Sequence, residues 1–198
     1  TGAFEAVAAY GSPAVSALGR GAAADEARIA QVTSEFFHVL GVSPVRGRFL
    51  SAQDDSDGAD ARVVVLGYGI WQRRFGGSDD VVGQTLEINH RPFTIIGVAP
   101  RGFTGVDLAP VDAWVPVAAM APLMLPDWRT RRDAMAWLRP VARLAPHATR
   151  EAAAAEAGAV FFAAEEIRQR HEGDATARIV LTDVNAARTP GTGAWALA

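Results

Sequence analysis

Between residues 63 and 98 the apolar positions change period three times, and each change predicts an element. Residues 63–66 (VVVL) are an uninterrupted β-branched and apolar run, too short for a helix and suited to a strand buried on both faces. Ile70, Trp71 and Phe75 then make one face of a short amphipathic helix, with Arg73 and Arg74 near its C-terminal end, where positive charge opposes the helix dipole. Gly76 and Gly77 stop it. Residues 84–88 and 93–98 read as two strands of a hairpin that bends at Asn89 and His90.

Upstream the pattern is weaker. Residues 1–10 are helix-compatible, with Phe4, Val7 and Ala8 on one face, and the Gly-, Ser- and Ala-rich residues 11–24 read as a loop or weak strand. Residues 28–33 alternate as a strand. Ser34 is a candidate N-cap for a helix over residues 35–40 that Gly41 ends. Downstream, the charged residues 128–133 read as a connector, and residues 136–144 alternate as a strand whose Pro140 points to an edge or a bulge. Thr149 can cap a helix running from Arg150 to about His171, striped by Ala153, Ala157, Val160, Ala164 and Ile167, with Glu166 and Arg170 as an exposed pair. A strand over residues 178–182 completes a strand-helix-strand unit.

Three segments together carry a family resemblance: VTSEFFHVLGVSPVRGRFLSAQDD (residues 32–55), VVVLGYGIWQRRFGG with the following VVGQTL (residues 63–86), and PRGFTGVDLAPVDAWVPV (residues 100–117). In this order and spacing they resemble the extracytoplasmic core domain of MacB-like and FtsX-like ABC-transporter permeases, most closely those with a duplicated core domain. The resemblance implies an α+β fold of two subdomains. Residues 1–31 would begin a porter-like subdomain that is truncated at its start, residues 32–126 would form an inserted, mostly β subdomain, and residues 127–198 would supply the porter-like strand-helix-strand unit and tail. It departs from the family at His90, where Asn-Gly is usual, and at His147, where a glycine commonly precedes the last helix.

The implied function is a non-catalytic extracytoplasmic domain that contacts substrate or a periplasmic protein and couples to membrane-helix movement during export. The alternatives are a signalling or regulatory partner-binding domain of a non-transporting FtsX-like membrane protein and, more remotely, a stand-alone enzyme. The ATPase would be another chain, reached through membrane helices outside this sequence, so the full-length protein is expected to be membrane-embedded on the periplasmic side of a bacterial inner membrane. The longest apolar candidate, residues 111–125, contains Asp112, Pro116 and Pro122 and falls short of the roughly 20 residues needed to span a bilayer. With no initiator Met or leader pattern at Thr1, the chain is expected to be an excised fragment.

Composition narrows this further. The 198 residues are 49% hydrophobic, enough to bury a core, and the net charge of −3 leaves no basic footprint for nucleic acid. Every Lys-or-Arg position is Arg, which reads as a GC-rich coding bias, and the absence of cysteine removes disulfide and thiol chemistry.

No catalytic, cofactor-binding or metal-ligating residue is expected. If Gly58 in the acidic stretch Asp54, Asp55, Asp57, Asp60 took the sixth place of a calcium loop, the twelfth would be Val64, so a solvated turn is the better reading. His38, His90, His147 and His171 make no metal-binding pair on one helical face. Gly67 and Gly69 match only half of a dinucleotide fingerprint. Phe36, Phe37, Trp71, Phe75 and Phe93 sit inside predicted elements and are expected in the core. Phe103 and Trp114 stay open: each is a candidate partner contact, and Phe103 would otherwise plug the adjacent hairpin.

Overall fold

The structure is a computed structural model that describes residues 2–19, 25–56, 62–107, 109–119, 137–163, 179–184 and 194–197, the last stretch by its backbone. In chain order, strands β1 (Phe4–Gly11), β2 (Ala14–Leu18) and β3 (Asp25–Val32) lead to helix α1 (Phe36–Val39) and the two-residue β4 (Arg46–Gly47). Strand β5 (Val63–Leu66), helix α2 (Tyr68–Phe75), the hairpin β6 (Thr85–Ile88) and β7 (Arg91–Val98), and β8 (Ala113–Pro116) follow. Then come β9 (Leu138–Leu144), α3 (Arg150–Ala163), β10 (Leu181–Asp183) and β11 (Ala194–Leu197).

The expected strand, helix, glycine stop and hairpin over residues 63–98 are all present. Gly76 closes α2 in the left-handed conformation at φ 59°. The two-residue turn joins Ile88 directly opposite Arg91, with Asn89 and His90 both at positive φ (49° and 63°), the geometry that an Asn-Gly pair ordinarily supplies.

The N-terminus is a correction. Residues 1–10 were expected as helix-compatible, yet β1 is a strand: Glu5 and Val7 are exposed, while Phe4, Ala6, Ala8 and Tyr10 turn inward. That period of two decides the matter, and β1 finds strands on both sides, β9 across seven residue pairs and β3 at Tyr10↔Val32. The loop expected over residues 11–24 contains β2, and β3 begins at Asp25, before the expected Arg28. Ser34 does not cap α1 through its side chain; its backbone N–H donates to Asp55 Oδ2 at 3.2 Å, and Glu35 holds the cap position. Gly41, at φ 67°, does end the helix.

Six strands close a barrel. β2 pairs β3, β3 pairs β8, β8 pairs β5, β5 pairs β7, β7 pairs β6, and β6 returns to β2 at Leu18↔Ile88, with two of the contacts parallel and the rest antiparallel. Inward positions fill it: Leu18, Ala27, Ile29, Val64, Leu66, Leu86, Ile88, Phe93, Ile95, Ala113 and Val115 form one buried cluster, to which α2 adds Ile70 and Trp71. A bulge between Val64 and Val65 skips Ile96 on β7, so Ile95 and Val98 both belong to the inner cluster while Ile96 faces out.

The outward residues of the same strands meet a second sheet. Strands β10, β11, β9 and β1 run in that order as an antiparallel sheet, joined to the barrel through the Tyr10↔Val32 bridge. Ala30, Val32, Val65, Ile96 and Trp114 from the barrel wall, Tyr10 and Val141 from the sheet, and Phe36, Phe37 and Val39 from α1 share one core. Arg143 of β9 donates to the carbonyl of Val39 at 2.5 Å, capping the last turn of α1 with positive charge and tying the sheet to it. The ladder is therefore continuous through both parts, and the expected division between residues 31 and 32 falls inside β3. The other expected boundary, at 126/127, lies outside the described residues, as do the connector and residues 164–178 with Ala164, Glu166, Ile167, Arg170 and His171.

The strand-helix-strand order is present as β9, α3 and β10, with β11 lying between the two strands. Thr149 caps α3 through Oγ1, which accepts from the Ala152 N–H at 3.1 Å. Two details differ from expectation. β9 is an inner strand, paired with β1 and β11, and Pro140 sits just beyond Val141, the last residue that β11 reaches. Val160 is 73% exposed: the buried residue of α3 is Ala153, which packs with Ala3 and Leu181.

Candidate functional site

Residues 99–112 connect β7 to β8 across the junction between barrel and sheet. Phe103 dips from this loop into the shared core, where it is 7% exposed and 5.2 Å from the Trp114 ring, centroid to centroid. Trp114 is fully buried, edge-on to Phe37 at 5.7 Å, and Phe37 in turn stacks on Phe49 at 3.9 Å. Neither side chain is available to a partner in this structure. The partner-contact expectation for Phe103 and Trp114 is corrected to core packing, for a physical reason: the apolar outer face of the barrel wall needs cover, and the loop supplies it.

A narrow cleft remains above this cluster, lined among others by Tyr10, Phe36, Thr104, Gly105, Asp107 and Trp114. At one side of it Arg139 lies 4.6 Å over the ring of Tyr10 and is ion-paired with Asp107. Thr104 Oγ1 donates to the Asp107 carbonyl at 3.0 Å and fixes the loop. Burial pushes the Tyr10 hydroxyl above its ordinary pKa, with Arg139 opposing and Asp107 adding to the shift. A tyrosine held neutral beside a paired carboxylate offers hydrogen bonds and an aromatic face. It does not offer an activated nucleophile or a general base.

Asp54 and Asp55 of the acidic stretch are structural. Asp54 is buried, a correction to the solvated turn expected there, and accepts from Arg48 at 2.6 and 3.0 Å and from the backbone and hydroxyl of Ser51 at 2.7 Å each. Asp55 accepts from the backbone N–H groups of Ser34 and Ala118, so the two carboxylates clamp three separate segments. Arg48 first, and Ser51 after it, hold the Asp54 carboxyl at a pKa of about 2 against desolvation that pulls it upward. Asp57 and Asp60 lie outside the described residues.

A depressed pKa means stability that is present above the ordinary value of 3.8 and lost as pH falls toward 2. Asp54→Asn is therefore expected to cost about 1–2 kcal/mol at pH 7, discounted because the Arg48 side chain is half exposed, and to cost progressively less between pH 4 and pH 2. Urea titrations of both proteins across that range check it; a pH-independent difference would refute the assignment.

Among the described residues no group of three or more His, Cys, Asp or Glu is placed to hold a metal ion. His38, His90 and His147 are exposed. Gly67 is explained by packing: a Cβ there would stand 2.9 Å from the Val111 carbonyl and 3.0 Å from that of Asp112. Carbonyl oxygens occupy the place where a phosphate would need donors. No described helix is long and apolar enough to cross a membrane.

No curated protein matches the sequence. Among solved structures, the periplasmic region of MacB from Actinobacillus actinomycetemcomitans superposes with a TM-score of 0.60 at 17% identity, covering 87% of this chain and 78% of that one. A domain of a permease protein from Porphyromonas gingivalis gives a TM-score of 0.55 at 16% identity, covering 99% of this chain and 73% of that one. These likenesses concern the fold. Residues 1–160 match the family described as the MacB-like periplasmic core domain, which takes in the barrel, the aromatic junction and most of α3, and the chain belongs to that family.

Proposed function

We propose that the chain is the non-catalytic extracytoplasmic domain of an ABC-type permease, which contacts substrate or a periplasmic protein and moves with the membrane helices of its parent during export. The family match over residues 1–160 carries this reading. The shared aromatic core supports the mechanical part. With Trp114, Phe37, Val32 and Val141 in one cluster, barrel and sheet form a body that transmits displacement as a unit. The ATPase that drives such movement belongs to another chain, bound through membrane helices of the parent.

Membrane vesicles containing the parent permease and its ATPase test the proposal. Replacing this chain by a short Gly-Ser linker is expected to leave the ATPase bound and to reduce transport to background. Undiminished transport would overturn it.

A further inference from the structure

We propose that the base of the cleft beside Gly105 is a binding site for one internal water molecule, held by the indole N–H of Trp114. Trp114 is completely buried, and its Nε1 has no hydrogen-bond partner among the described residues. An indole N–H can only donate, and leaving such a donor dry inside a protein costs about 1–3 kcal/mol.

The chain leaves room at that atom. Gly105 and Trp114 line the cleft together, and a Cβ on Gly105 would stand 3.7 Å from Trp114 Nε1 and 3.5 Å from Phe36 Cζ. The cleft has room for about one water molecule. A buried water also needs further polar partners, and Tyr10, Thr104 and Asp107 line the same cleft. The site lies where β1, α1, β8 and the 99–112 loop meet, so its water bridges the barrel wall and the loop that covers it.

Two glycines make the test specific. Gly102 and Gly105 both adopt left-handed backbone, φ 82° and 90°, so alanine is strained similarly at either. Nothing lies within 4 Å of a Cβ at Gly102, whereas at Gly105 the methyl takes the space over the indole N–H. In chain labelled with ¹⁵N at the tryptophan indoles, the Trp114 N–H is expected to show a nuclear Overhauser cross-peak to a long-lived water, and Gly105→Ala is expected to abolish it. Gly105→Ala should also lower the urea midpoint further than Gly102→Ala. Without the water the added methyl would only fill space, and the order would reverse. Absence of the cross-peak in the unaltered chain overturns the proposal, whatever the variants do.

Discussion

Trp71→Ala is expected to lower the stability of the chain by roughly 3–5 kcal/mol, a large share of what a domain of this size possesses. Trp71 is 4% exposed and belongs to the inner cluster of the barrel with Ile70, Leu86 and Ile95. Its Nε1 donates to the Ser78 carbonyl at 2.9 Å, Tyr68 meets it edge-on at 5.3 Å, and Arg46 lies 5.9 Å from the ring. Truncation would empty the ring's place and orphan the Ser78 carbonyl together. Trp71→Phe, which keeps most of the volume and loses the hydrogen bond, is expected to cost distinctly less. The loss should appear as one cooperative transition. Strands β3, β5 and β8 face the barrel interior with one side and the shared aromatic core with the other, so the sheet cannot stay packed while the barrel opens. Chemical denaturation followed by both far-ultraviolet dichroism and tryptophan fluorescence decides it. An unchanged midpoint would refute the core assignment, and two separate transitions would refute the coupling.

What could be read from the sequence was local. Over residues 63–98 the apolar period, the paired glycines and the Asn-His bend all point the same way, and the strand, helix and hairpin form there as read. In β1 the signals conflict: alanine favours helix, while the alternation of Glu5 and Val7 against Tyr10 favours a strand, and long-range pairing with β9 decides. Closure of the barrel was not legible, because it depends on β3 pairing in parallel with β8 some eighty residues on, a contact that leaves no mark in either strand alone. Burial of Phe103 and Trp114 has the same origin. A glycine- and proline-rich segment suggests an exposed loop, and only the apolar wall outside the barrel explains why this one folds inward. The Asp54 clamp did carry a signal. Ser51 stands three residues before Asp54, the spacing of a capping box, in a stretch whose charge drew attention to solvent.

Gly97→Ala is expected to be more damaging than its single added methyl suggests, costing roughly 3 kcal/mol or more. The expectation rests on how closely β4 approaches β7. Gly47 lies directly opposite Gly97, and a Cβ on Gly97 would stand 2.1 Å from the Arg48 carbonyl oxygen and 3.1 Å from that of Arg46. Both obstacles are backbone, so no side-chain rotation relieves them. The segment is also fastened on either side, with Val45 N–H donating to the Val98 carbonyl and Arg48 N–H to the Ile96 carbonyl, each at 2.8 Å. Making room would break these bonds and draw Arg48 away from Asp54, the buried carboxylate that depends on it. Gly97 itself has no left-handed φ, so the cost comes from the contact and not from the backbone angle. Gly83→Ala separates the two causes: Gly83 sits at φ 91° with nothing within 4 Å of a Cβ, and alanine there should cost only the strain of that conformation, about 1–2 kcal/mol. Denaturation midpoints of the two variants, measured side by side, give the comparison, and a Gly97→Ala chain at least as stable as Gly83→Ala would refute the close approach of β4 to β7.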